Sequence, residues 1–311
     1  MATPLSLTPR AWLLLVSLSF LWGLSFLLYD IALDGFGPLA VVLGRTSISA
    51  LTLLIILRAL RQRLPTSPGA WGQLAVLGVL NNALPFLLIA TGMVQPGFHG
   101  GMASIFNATV PLFTVFIAHF FLVDERLTPA KLIGILTGIA GVAVMMARDA
   151  WTGETGLLLG GSLVLGATLS YGAAGVWARR MNRLEPLQVA TGQQVAATFW
   201  VVLPVVLIDR PWSYSASVGL DSWLALIALG VLSTGLAYIL FFQILRTAGA
   251  TNVSLVTLLI PIWAILFNAT IRENTLAFWQ TITLAQWVGI ALIFLGLAIV
   301  NGWLPRRKTA T

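Results

Sequence analysis

Residues 104–125 read SIFNATVPLFTVFIAHFFLVDE, and residues 254–273 read SLVTLLIPIWAILFNATIRE. Each stretch is apolar, holds one proline near its middle (Pro111, Pro261) and runs into an acidic turn (Asp124-Glu125-Arg126, Arg272-Glu273). Superposed at an offset of 150, they match Ser104 with Ser254 and set Asn107 on Thr257. The next apolar run carries Gly134 and Gly141 in one case, Gly289 and Gly296 in the other. Upstream, Trp22-Gly23 corresponds loosely to Tyr171-Gly172. Proline, acidic turn and glycine pair recur in one order. The pattern predicts a duplicated unit, with residues 1–150 as the first repeat and 151–311 as the second.

Composition says where such a unit folds. Of 311 residues, 58% are hydrophobic and 9% charged, with a mean hydropathy of +0.94. A soluble domain carries about 25% charged residues. Folding alone cannot hide this much apolar surface, so the chain needs lipid. A span needs about 20 apolar residues. Working outward from the prolines gives ten spans, at roughly 11–30, 38–59, 70–91, 97–121, 127–147, 156–178, 187–208, 221–245, 251–271 and 281–304. Short connections hold the breakers, such as Asp34-Gly35-Phe36-Gly37-Pro38 and Leu64-Pro65-Thr66-Ser67-Pro68-Gly69. The first run is about 19 residues, longer than a signal h-region, and no small-x-small site follows it. It is expected to stay as a helix.

Charge fixes the expected orientation. With ten spans, thirteen of the seventeen Lys and Arg residues fall on the side of the N-terminus and three (Arg148, Arg210, Arg272) on the other, while Arg45 lies inside a span. This is a positive-inside bias, and one span more or fewer would spoil it. Both termini are expected to be cytoplasmic. Five helices per repeat is an odd number, so the second repeat enters from the opposite side. The expected fold is an all-α integral membrane protein, with ten transmembrane helices forming two five-helix inverted repeats around a central cavity.

Several chemistries are excluded. There is no cysteine, hence no disulfide or thiolate site. The net charge of +7 is spread over short loops and makes no nucleic-acid-binding face. Neither lysine, Lys131 or Lys308, follows glycine in a phosphate-binding loop, and no HExxH or GxSxG occurs. Gly35-Phe36-Gly37-Pro38-Leu39-Ala40 fits a loose GxGxxA but joins two apolar helices, and reads as a turn. No catalytic residue, metal site or cofactor is expected.

On Trp22-Gly23, Arg45, Pro111 with Asp124-Glu125, and Pro261 with Glu273, the chain resembles the drug/metabolite transporter superfamily in its ten-helix, EamA-type branch. Within that branch it is most similar to bacterial exporters of aromatic and other amino acids. The resemblance covers nearly the whole chain and implies a basket of helices around a cavity, with the fifth and tenth packed outside. The family's Gly-Glu after the fourth helix is Asp124-Glu125 here, and the ninth helix ends Arg272-Glu273. Any role for those turns is weakened accordingly.

All ten Asp and Glu residues fall in loops or at helix ends, and His99 and His119 flank the fourth span. Recognition is therefore expected from hydrogen bonds and aromatic rings. Arg45 is the one intramembrane charge. It costs at least about 2.5 kcal/mol at the bilayer centre unless it reaches water or a partner. It either faces an aqueous cavity and attracts a carboxylate, or bonds loop carbonyls. Its repeat counterpart is near Gln193. A mid-helix proline displaces the carbonyl four residues earlier. Pro111 and Pro261 thus free the carbonyls of Asn107 and Thr257, either towards a cavity or into a kink that neighbours satisfy. Of the adjacent amides Asn81 and Asn82, only one can face a given side of a regular helix. Asn82 shares a stripe with Gly78 and Phe86 and is favoured, with helix–helix hydrogen bonding as its competing role. Trp22, Tyr171, Tyr238 and Trp263 lie deep, as cavity-lining rings or as packing. Gly134 and Gly138 form a GxxxG, read as close packing within the monomer or at a homodimer seam.

The expectation is a secondary transporter exporting amino acids and related small metabolites by alternating access, in the inner (cytoplasmic) membrane. The path-lining set is Trp22, Arg45, Asn82, Phe86, Asn107, Tyr171, Gln193, Tyr238 and Trp263. The alternative is a multidrug or quaternary-amine extruder using the same rings without Arg45.

Overall fold

In lipid every backbone N–H and C=O must be paired within the protein, so apolar runs of this length fold as helices. A computed structural model of the chain describes residues 9–122, 127–152, 155–181, 183–209, 218–241, 243–244, 256–272, 283–300 and 302. These residues form α1 (Pro9–Leu33), α2 (Pro38–Ala59), α3 (Pro68–Gly78), α4 (Leu84–Met93), α5 (Gly100–Asn107), α6 (Val110–Phe121), α7 (Pro129–Thr152), α8 (Gly156–Ala178), α9 (Pro186–Pro204), α10 (Leu220–Gly230), α11 (Val256–Phe267) and α12 (Leu284–Val300). Proline opens seven of them at the first or second position, where a missing N–H costs nothing. Wider π turns at Val79–Ala83 and Val231–Leu236 interrupt two spans.

Eight stretches among the described residues are long and apolar enough to cross a membrane, from Trp12–Leu33 to Leu220–Phe241. Two shorter apolar helices, Leu259–Ile271 and Leu284–Val300, fall where the ninth and tenth spans were expected. The acidic turns at Asp124-Glu125-Arg126 and Glu273, together with Ser254, Trp212, Phe242, Trp279 and Trp303, lie outside the described residues. The outer surface is apolar: Leu51 and Ile55 on α2 are each 60% exposed, while Leu53 between them is fully buried. Such a surface suits lipid and would aggregate in water. This is a multi-pass membrane protein.

Small residues set the closest approaches. A Cβ on Gly134 of α7 would stand 2.7 Å from the Gly296 carbonyl oxygen of α12, and one on Gly141 would stand 2.6 Å from the Gly289 oxygen. The later residue of α7 meets the earlier residue of α12, so the two helices run antiparallel. The GxxxG of α7 is therefore used inside the monomer, and Gly138 of that motif is filled by Leu112. Two further contacts are crossed between the halves. Gly23 of α1 packs on Trp263 and Ile260 of α11, and Gly172 of α8 packs on Phe113 and Thr114 of α6. Gly78 of α3 meets the Gln193 carbonyl of α9, and Gly230 of α10 meets the Arg45 carbonyl of α2.

The proline of the first half acts differently from a mid-helix kink. The helix stops at Asn107 and restarts at Val110, with Pro111 in the first turn of α6. The amides of Ala108 and Thr109 turn back to Ile105 and Phe106, three residues earlier. The ring is thus placed where no N–H is required, so the break precedes it. In the second half Pro261 lies inside α11.

Candidate functional site

The two π turns set the site. A π turn takes one residue more than an α turn, which rotates the side chains after it onto a new face. At 79–83 it brings both members of the Asn81-Asn82 pair into one polar cluster. This corrects the expectation that only one could face inward, which assumed a regular helix. The Asn81 Nδ2 donates to Gln193 Oε1 at 3.0 Å and to the Tyr238 hydroxyl at 3.2 Å. The Asn82 Oδ1 accepts from Gln194 Nε2 at 2.9 Å and from the Tyr238 hydroxyl at 3.0 Å. Ser170 of α8 donates to the Leu80 carbonyl at 2.7 Å, which satisfies a backbone acceptor within the widened turn.

The second π turn holds the charge. Thr234 donates to the Leu229 carbonyl five residues back, 2.9 Å away, and accepts from Arg45 Nε at 2.8 Å. The Arg45 guanidinium lies over the Phe86 ring, 3.6 Å from its centroid, and 5.0 Å from that of Tyr29. The Tyr29 hydroxyl in turn donates to the Phe86 carbonyl at 3.5 Å. Arg45 is only 6% exposed. Among the described residues it forms no ion pair. It is an electrostatic neighbour of the Tyr171 and Tyr238 hydroxyls, which ties the charged layer to the amide layer.

The α2 face below Arg45 and the π turn beside it carry Ser49 and Ser233, both fully buried and with no partner for their hydroxyls among the described residues. In the amide layer, Asn82 Nδ2, Gln193 Nε2 and Gln194 Oε1 are likewise buried without a partner. Buried polar atoms are normally bonded. Five of these orphans lie on or beside the two π turns, where a water or a ligand can bond them.

Arg45, Phe86, Asn82, Gln193 and Tyr238 thus come together, with Tyr171 beside them. Trp22 joins through Phe241: its ring lies 5.7 Å from that of Phe241, which Tyr238 meets edge-on at 6.4 Å. Asn107 ends α5 with its Oδ1 buried and unpartnered among the described residues, at the break in the fourth span. Trp263 lies elsewhere. It packs on Gly23 at the α1–α11 seam, donates to the Ser19 hydroxyl at 3.0 Å and meets Phe20, whose ring is partly open to the lipid side. Sequence reasoning missed Tyr29, Asn81, Gln194 and Thr234 as partners. The doublets Asn81-Asn82 and Gln193-Gln194 were the available signal, since two adjacent amides in hydrocarbon are costly unless both are bonded.

His99 is the N-cap position of α5, and His119 Nδ1 near the end of α6 accepts from the Leu127 amide at 3.2 Å. Among the described residues no group of three or more His, Asp or Glu is placed to hold a metal.

The EamA-like transporter family matches residues 9–147 and 158–302. This chain belongs to that family. Among its relatives, the uncharacterized transporter YoaV of Bacillus subtilis is 24% identical over 94% of this chain and 97% of its own length. YvbV of the same organism, also an uncharacterized transporter, is 28% identical over 97% of this chain and 94% of its own. The uncharacterized inner membrane transporter YedA of Escherichia coli is 22% identical, covering 92% and 89%. A solved crystal structure superposes with a TM-score of 0.65 at 20% identity, over 96% of this chain and 99% of that one. It shows a shared fold and nothing more.

Proposed function

We propose that this EamA-like chain is a secondary transporter that exports amino acids and related small metabolites by alternating access across the inner (cytoplasmic) membrane. The carrying observation is Arg45. It is a buried charge with no carboxylate partner among the described residues, set among tyrosines and unsatisfied amides. A substrate carboxylate completes the arginine, and the open amide and hydroxyl groups bond the rest of the molecule. Phe86, Tyr171, Tyr238 and Trp22 supply flat apolar surface for a side chain. Asn107, at the break in the fourth span, belongs to the same path. Trp263 at its seam serves packing.

Alternating access requires two units that rock about a shared site. In this reading the ten spans form two inverted repeats with both termini cytoplasmic. The antiparallel α7–α12 glycine seam, the crossed Gly23 and Gly172 contacts, and the match of one family to residues 9–147 and 158–302 support it. The α2 contact with the 231–236 turn and the α9 contact with the 79–83 turn are corresponding pairs under that symmetry.

Purified full-length protein in liposomes tests the proposal. Counterflow of labelled phenylalanine, leucine and their carboxylate analogues is expected, and Arg45→Gln is expected to abolish it. Transport of cationic dyes with no flux of any carboxylate compound would overturn it in favour of a quaternary-amine extruder.

A further inference from the structure

The charge balance of the site narrows its substrate. An amino acid is a zwitterion: its carboxylate would neutralise Arg45, but its ammonium would bring a second positive charge into the same buried layer. Burying a charge is tolerated where an opposite charge meets it. Among the described residues nothing anionic does so. The groups left open are neutral: the hydroxyls of Ser49 and Ser233, the oxygen of Gln194, and the amide nitrogens of Asn82 and Gln193. Gln193, near the position that the repeat alignment sets opposite Arg45, is also neutral. The carboxylate next in sequence to this layer, Asp30, accepts at Oδ2 from the Gly100 amide at 3.0 Å, at the start of α5.

We infer that the preferred substrates are net monoanions: carboxylates whose second polar group is a neutral hydrogen-bonding one, such as 2-hydroxy acids, carried ahead of the zwitterionic amino acids. The inference rests on the transporter reading above and deepens it. Arg45 and a monoanion sum to zero charge in the buried site. The hydroxyl of a 2-hydroxy acid both donates and accepts, which suits the mixed orphans around it. An ammonium only donates, and it leaves the open nitrogens of Asn82 and Gln193 unmet. A 2-hydroxy acid and an amino acid with the same side chain differ by this one group, so the pair isolates charge from shape.

The test uses full-length protein in liposomes at neutral pH, with protein-free liposomes subtracted. Flux of labelled 3-phenyllactate is compared with phenylalanine, and 2-hydroxy-4-methylpentanoate with leucine. In both pairs the hydroxy acid is expected to be at least about tenfold faster at equal concentration, a preference equivalent to about 1.4 kcal/mol. Its flux alone should respond to an imposed membrane potential, because it alone carries net charge. Arg45→Lys should keep the preference, and Arg45→Gln should abolish flux of all four compounds while the protein elutes as the wild type does. Equal flux within both pairs, or faster amino acids, would overturn the charge argument and leave the transporter proposal standing. No flux of any of the four would overturn both.

Discussion

The guanidinium carbon of Arg45 lies 3.6 Å from the centroid of the Phe86 ring. One helix thereby supplies a cation and its neighbour supplies the ring face that shields it. The contact occupies one side of the guanidinium. With Nε given to Thr234, a ligand would meet the terminal nitrogens beside the Tyr29 hydroxyl. An arginine fork pairs a carboxylate in two parallel hydrogen bonds, which a lysine cannot do.

A buried charge kept for function should cost stability. Arg45→Met keeps the stem and removes the charge, and Thr234 retains its own bond to Leu229. Replacing a buried ion by an apolar residue of similar volume is often neutral or stabilising. The expected outcome is a gain of about 1 kcal/mol, seen as a melting temperature a few degrees higher in detergent, with transport lost. A lower melting temperature would mean that Arg45 holds the fold together.

The amide layer should show an order of effects. Tyr238→Phe removes one acceptor from Asn81 and one donor from Asn82, but each keeps a glutamine partner. It should cost about 1 kcal/mol. Asn82→Leu takes the acceptor from both Gln194 and Tyr238 at a site with no exposure. It should cost about 1–3 kcal/mol more, read as a further fall in melting temperature. Equal effects would argue against the shared Oδ1.

Two glycines with different surroundings should diverge. A Cβ at Gly296 would stand 2.5 Å from the Gly134 oxygen, a backbone atom that cannot swing aside. Gly296→Val is expected to lose more than about 2 kcal/mol, or to fail to accumulate. Gly72 lies inside α3 with nothing within 4 Å of its Cβ position. Gly72→Ala should therefore stabilise by about 0.5–1 kcal/mol through helix propensity.

Trp263 separates packing from recognition. Trp263→Phe loses the bond to Ser19, whose hydroxyl still donates to the Val16 carbonyl. The expected result is a modest fall in melting temperature and an unchanged ratio of fluxes between any two substrates. A changed ratio would place the ring in the substrate path.

Legibility followed the length of the signal. The spans were readable because each depends on about 20 residues of one character. The end of α2 was read to the residue and those of its neighbours to within a few. The charge of Arg45 stood out against nine-tenths uncharged sequence. The partners of Arg45 were hidden, because Thr234 and Phe86 lie 189 and 41 positions away along the chain. Asn81 was set aside on the assumption of an even helical pitch, which the π turn breaks. Deep aromatic rings looked alike in sequence, yet Tyr238 joins the amides and Trp263 packs at a seam.

The sequence by itself determined that the chain lives in lipid, belongs to the EamA-type family, and carries a charge inside a span. These follow from residue type summed over long windows, which no tertiary contact can reverse. Only the tertiary structure decided which polar atoms meet. It set both Asn81 and Asn82 on one cluster, Arg45 on Phe86, and Gly134 on Gly296. Those outcomes turn on shifts of one residue in helical phase and on contacts between residues far apart in the chain, and local composition carries no record of either.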